Sequence, residues 1–158
     1  MNSYMTSSGE YVLKSVIDRR IRAAKEKNIM EKITDKIKSF EDACKHLRLN
    51  PNDLPVVDML PEKDRKSIIA FYKLTIIIRA LNEGWEPDWS NWDECKYYNW
   101  FYVEKGEDQR SSGFRYCVTS YAPTGTRTGS RLCFKNRELA EYAAEQFKKL
   151  YREYLLIL

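Results

Sequence analysis

Two neighbouring stretches hold the residues most able to do chemistry. Between Glu83 and Glu94 stand five carboxylates, Glu83, Glu86, Asp88, Asp93 and Glu94, with no base among them. Trp85, Trp89 and Trp92 are interleaved with these acids. From Arg110 to Arg137 the balance reverses: Arg110, Arg115, Arg127, Arg131, Lys135 and Arg137 occur without a single acid. Carboxylate pairs lined by aromatic rings are the makings of a sugar cleft, where two acids on opposite sides of the bond divide the proton transfer and the attack. Here the pairs Glu86/Asp88 and Asp93/Glu94 are close neighbours within one short loop. A solvated acidic loop is the simpler reading. Phosphate would be repelled from it, so its tryptophans are expected to plug the core or to contact a protein partner.

The basic run suits nucleic acid. If it folds into adjacent strands, Arg115 and Arg131 share an alternation set with Tyr121, given an agreeing register. A sheet face that mixes Arg or Lys with aromatic rings grips single strands by stacking and phosphate neutralisation. Arg19, Arg20 and Arg22 of a basic N-terminal segment add candidate backbone contacts. The bland counterpart is a solvated face balanced by the acidic loop. The rival function is protein interaction or self-association, with the acidic and basic patches pairing and Trp85, Trp89 and Trp92 as contacts. No RNP1-like recognition motif decides between them.

Enzymatic signatures are missing. The only histidine, His46, lies in a short helix and reads as a structural or surface residue, and no cysteine pair accompanies it, so no metal site is expected. Phosphate-loop, dinucleotide and nucleophile-elbow patterns do not occur. TGTRTGSR (124–131) looks suited to an anion but is expected to lead into a strand, where the helix-terminus logic of phosphate binding does not apply. A non-enzymatic protein without cofactor is the expectation.

These residues must be positioned by elements whose patterns are legible. Val12 to about Ile37 has apolar residues at helical spacing beneath a basic outer face. SFED at 39–42 fits a helix N-cap, and Asn50-Pro51 ends that helix. Pro61 suits the first turn of a helix over 61–82, apolar most of the way round and therefore surrounded by protein. Tyr97–Glu104, Phe114–Tyr121 and Ser130–Lys135 alternate as strands, with loop-like connections. The first of these is aromatic on both faces, which favours burial on both sides. Asn136 caps a last helix running from Arg137 to about Leu155. The fold class is α+β: N-terminal helices, a small three-stranded antiparallel sheet over about 97–135, and a C-terminal helix packed on it. The domain plan is a flexible 1–11, a basic helical arm over 12–38 and a single α+β domain over 39–158.

The 158 residues suffice to bury a core without disulfides or metal. The four cysteines lack paired spacing and read as reduced, mostly buried thiols. No apolar run approaches the roughly 20 residues of a membrane span, and the N-terminus lacks a signal-peptide pattern. A cytoplasmic protein of a host cell, without a membrane partner, is expected. The net charge of +4 lies wholly in residues 1–50, since 51–158 hold sixteen bases and sixteen acids.

KIKSFEDACKHL (36–47), LPEKDRKSIIAFYKLTIIIRALNEGWEPDW (60–89), KYYNWF (96–101) and GSRLCFKNRELAEYAAEQFKKLYREYLLI (129–157) carry a family resemblance. From about residue 30 onward the chain resembles small uncharacterised proteins of gut Bacteroidales and their tailed phages or prophages. The resemblance implies a phage or mobile-element setting, where nucleic-acid handling and virion or host-factor contacts are common. It carries no catalytic residue over.

Overall fold

The computed structural model describes residues 33–104, 113–123, 125 and 128–156. The chain divides into two compact units, 1–33 and 34–158, and the elements below all belong to the second. The expected flexible start, nearly all of the basic arm, and Arg19, Arg20, Arg22, Arg110 and Arg127 lie outside the described residues.

Helix α1 (Phe40–Leu47) starts where the capping pattern put it. Ser39, at φ −141°, accepts the Asp42 N–H at 3.0 Å, and the Asp42 carboxylate accepts the Lys38 N–H at 3.0 Å. The first bond satisfies a donor that a helix start leaves unpaired, and the second ties the residue before the cap to the first turn. The helix ends in left-handed backbone at Arg48 and buries Phe40, Ala43 and Cys44. Helix α2 (Glu62–Asn82) is the central element, with Leu74 through Ile78 buried without interruption. It stops because Glu83 (φ 50°) and Gly84 (φ 83°) turn left-handed in succession, and at the second of these glycine is the residue without strain.

Strands β1 (Lys96–Glu104) and β2 (Gly113–Ala122) pair antiparallel, with Tyr97 opposite Tyr121 and Glu104 opposite Gly113. Trp100 faces Val118 while Phe101 faces Tyr116, so Cys117 is the extra residue of a β-bulge. The bulge reverses the alternation of β2. Phe114 is buried before it and Thr119 after it, five positions apart, where an unbroken strand would put them on opposite faces.

The expected third strand over Ser130–Lys135 is not formed, and among the described residues the sheet has two strands. Gly129 (φ 74°) launches a short 3-10 turn over Ser130–Leu132. The following residues are claimed from both sides. Phe134 exchanges both backbone hydrogen bonds with Tyr97, at 3.1 and 2.9 Å, as one isolated bridge. The buried Asn82 side chain takes the other edge, donating to the Cys133 carbonyl at 2.8 Å and accepting the Lys135 N–H at 3.2 Å. A side-chain amide thus stands where a further strand's backbone would be.

The last helical stretch is interrupted as well. Helix α3 (Arg137–Gln146) begins at Asn136, whose side chain accepts the Leu139 N–H at 2.9 Å. Phe147, at φ −110° and ψ 23°, separates it from helix α4 (Lys148–Leu155). Leu139, Ala143, Phe147 and Tyr151 still fall every fourth residue and are all buried, so one inner stripe runs through the break. On the sheet side, Asn99 donates to the Ala140 carbonyl at 2.7 Å, and Phe101 lies between Phe114 and Tyr151 with ring centroids 4.8 and 4.7 Å away. On the other side, Ser67 Oγ donates to the Tyr154 carbonyl of α4 at 2.8 Å. Helices before and after a two-stranded sheet make this an α+β fold. Among the described residues no helix is long and apolar enough to cross a membrane.

Candidate functional site

Tyr97, Asn99 and Phe101 point toward α3 and α4, so the even-numbered residues of β1 lie on the hairpin's other face. That face is buried at Tyr98 and opens toward the hairpin tip, where Trp100 is 42% and Tyr102 49% exposed. Their cross-strand partners are Val118 and Arg115, both exposed. The Arg115 guanidinium stands 4.5 Å from the Tyr102 ring centroid, a cation–π contact at the surface. A hydrogen bond to Cys117, the bulge residue, is the main cause that raises the Tyr102 hydroxyl above its usual range. Residues two apart on a strand are separated by about 6.6 Å, so Trp100 and Tyr102 present successive ring platforms beside a fixed positive charge. Of these four residues the sequence pointed only to Arg115. The expectation that β1 is buried on both faces does not hold toward the tip.

The other predicted site residues are scattered. Tyr121 is exposed, but its ring packs 5.8 Å from Tyr97, on the helix-facing side, because the bulge puts it out of phase with Arg115. Arg131 lies in the 3-10 turn and not on a strand, so it shares no sheet face with Arg115. Lys135 is paired with Glu83 at 3.0 Å. Arg137 is engaged inward, donating to the Thr119 carbonyl at 2.7 Å with its guanidinium 5.8 Å from the Tyr97 ring. Acidic and basic runs that are separate in sequence therefore partly neutralise each other in space.

The tryptophan loop is organised around a residue that sequence reasoning passed over. Lys96 is fully buried. Its ammonium donates to the carbonyls of Asp88, Asn91 (3.1 Å) and Pro123 (3.0 Å), lies 3.2 Å from a Glu94 carboxylate oxygen, and stands 5.4 Å from the Trp89 ring. Glu94 also accepts the Asp88 N–H at 2.9 Å and the Trp85 indole N–H at 3.1 Å. Burial pushes the Glu94 carboxyl up, but the hydrogen bonds from Asp88, Lys96 and Trp85 outweigh it and hold the group below its usual range. A lone base directly after an acidic loop was the available signal. Trp85 and Trp89 are half-buried at the surface, so they do not plug the core, and Trp92 is 74% exposed. Trp89 Nε1 donates to Ser130 Oγ at 2.9 Å, so Trp85, Trp89 and Arg131 line one cleft.

The exposed Ser90 hydroxyl donates to the Asp88 carboxylate at 2.6 Å, a contact between residues two apart in the loop. His46 is exposed on α1, and among the described residues no cluster of His, Cys, Asp and Glu could hold a metal. Cys44 and Cys133 are buried, Cys95 and Cys117 half-buried, and none of the four forms a disulfide. No family model matches the chain, and no curated protein or solved structure matches it either.

Proposed function

We propose that the protein is a non-enzymatic accessory protein that binds single-stranded nucleic acid on the outer face of the hairpin. The observation that carries this reading is the exposed row of Trp100 and Tyr102 with the Arg115 guanidinium held over Tyr102. Bases would stack on the two rings and a phosphate would sit on Arg115. Single strands are favoured because their bases are free to leave one another, whereas a duplex keeps its ring faces covered. The resemblance to small phage-associated proteins supports an accessory role of this kind. The test is fluorescence anisotropy with labelled single- and double-stranded oligonucleotides over a range of salt. Single strands are expected to bind more tightly, and affinity is expected to fall as salt rises. Equal binding of both, or none at about 50 mM salt where phosphate contacts are strongest, would reject the reading.

A second reading has an observation of its own. Trp92 projects from the acidic loop at 74% exposure, beside Asp93, as an indole suited to a pocket on a basic protein partner. A Trp92→Ala variant that loses a partner while keeping oligonucleotide binding would favour protein interaction at that loop.

A further inference from the structure

A cleft of about 630 Å³ opens between the C-terminal half of α2, the Trp85–Trp89 turn and the 128–131 turn. That is well within the roughly 300–1,000 Å³ of small-molecule sites. Neither Trp100, Tyr102 nor Arg115 lines it. The cleft's apolar walls are Phe71, Ile78, Trp85, Pro87 and Trp89.

Most of its polar groups are already committed. Trp85 Nε1 is spent on Glu94 and Trp89 Nε1 on Ser130, so the indoles offer a ligand their ring surface and not their donors. The Asn82 amide serves Cys133 and Lys135, and the Thr75 hydroxyl donates to the Tyr72 carbonyl at 2.8 Å. What remains is cationic. Arg79 and Arg131 both line the cleft, both are exposed, and neither forms an ion pair among the described residues. Ser130 Oγ accepts from Trp89 and keeps its own proton to donate. Glu86 is the carboxylate on the lining, so these charged groups leave an excess of positive charge.

We propose that this cleft binds a planar ring carrying a phosphate, the chemistry of a nucleoside monophosphate. The ring lies against Trp85 and Trp89, and the phosphate sits on Arg79 and Arg131. Phosphate fits better than carboxylate because one guanidinium fork already satisfies both oxygens of a carboxylate, while a phosphate has oxygens for two forks. The site is independent of the hairpin face and is tested separately from it.

The test is isothermal titration calorimetry of the full chain with adenosine, guanosine, cytidine and uridine monophosphates, and with the phosphate-free nucleosides. Saturable binding of at least one monophosphate is expected, with its nucleoside weaker by about tenfold or more. Arg79→Ala and Arg131→Ala should each weaken it by about tenfold with circular dichroism unchanged, and Glu86→Gln should strengthen it. Trp100→Ala/Tyr102→Ala should leave it as it was. No saturation by about 5 mM of any monophosphate, equal affinity for nucleoside and monophosphate, or indifference to both arginine changes would overturn the proposal.

Discussion

Glu94 and Lys96, two residues apart in sequence, meet at 3.2 Å inside the turn that their own segment builds. Lys96 has no side-chain exposure, and the loop carbonyls of Asp88 and Asn91 converge on its ammonium together with that of Pro123. The acidic loop is thus closed over a single internal cation and tied to the end of β2.

Replacing Lys96 with Met keeps the stem's bulk and removes the ammonium. It leaves the carbonyls and the Glu94 carboxylate without their common donor, so a loss of about 3–5 kcal/mol is expected, as for one partner of a buried pair. Urea unfolding followed by tryptophan fluorescence measures it. A loss below about 1 kcal/mol, as for a surface pair, would contradict the role given to Lys96.

The same carboxylate makes stability depend on acid. Because the folded Glu94 lies below its usual 4.5, the unfolded chain binds the proton more readily. Stability from this group is present above about pH 4.5 and is lost as pH falls through the folded value. Glu94→Gln should flatten that acid slope, leaving the part due to Asp42 and Asp88, which are also held low by hydrogen bonds. An unchanged slope between about pH 5 and 3 would count against it.

Asn82 substitutes for a strand, so Asn82→Ala should strand the Cys133 carbonyl and the Lys135 N–H. A cost of about 1–3 kcal/mol is expected from the loss of the Lys135 N–H acceptor and of the donor to Cys133. Faster amide exchange should appear at Lys135, while the Asn99–Thr119 pairing stays protected. Equal loss of protection across both would show that the amide has no local role.

Tyr142 joins α3 to the segment before α1, its single hydroxyl proton shared between the Ile37 carbonyl at 2.7 Å and the Thr34 carbonyl at 2.9 Å. Burial, reinforced by Asp35 and Asp42, raises the hydroxyl to about 12 from the ordinary 10.0. A raised value means stability that is complete below about pH 10 and is lost as pH rises toward 12. Tyr142→Phe should cost about 1–2 kcal/mol at neutral pH and lessen the alkaline decline. Tyr97, Tyr102 and Tyr151 are also raised and act in the same direction. Denaturant midpoints at neutral and alkaline pH measure both effects.

Much of the fold was legible because local patterns agreed with tertiary demand. Ser39 and Asn136 cap the helices they were expected to cap, and the helix expected over 61–82 is buried without interruption along 74–78. What could not be read was long-range. The extra residue Cys117 shows no mark in sequence, yet it moves Tyr121 to the face opposite Arg115. The segment 133–135 alternates like a strand, but its hydrogen bonds are divided between Tyr97 and a side chain fifty residues away, at Asn82. Charge segregation along the chain suggested separate patches, whereas Glu83–Lys135 and Trp89–Ser130 bring the two runs into contact. A strand aromatic on both faces looks two-sided in sequence, whereas the hairpin's outer face is closed at Tyr98 and open only toward the tip, at Trp100 and Tyr102.

The central claim concerns that open face. The most direct measurement is single-stranded oligonucleotide affinity for Trp100→Ala/Tyr102→Ala and for Arg115→Ala, with Trp92→Ala as the control. Loss of two stacking rings should weaken binding by about 2–6 kcal/mol. Loss of Arg115 should weaken binding and lower the magnitude of the salt slope by about 1. Trp92→Ala should bind as the parent does. Parent-like affinity in both hairpin variants, with their circular dichroism intact, would contradict the account.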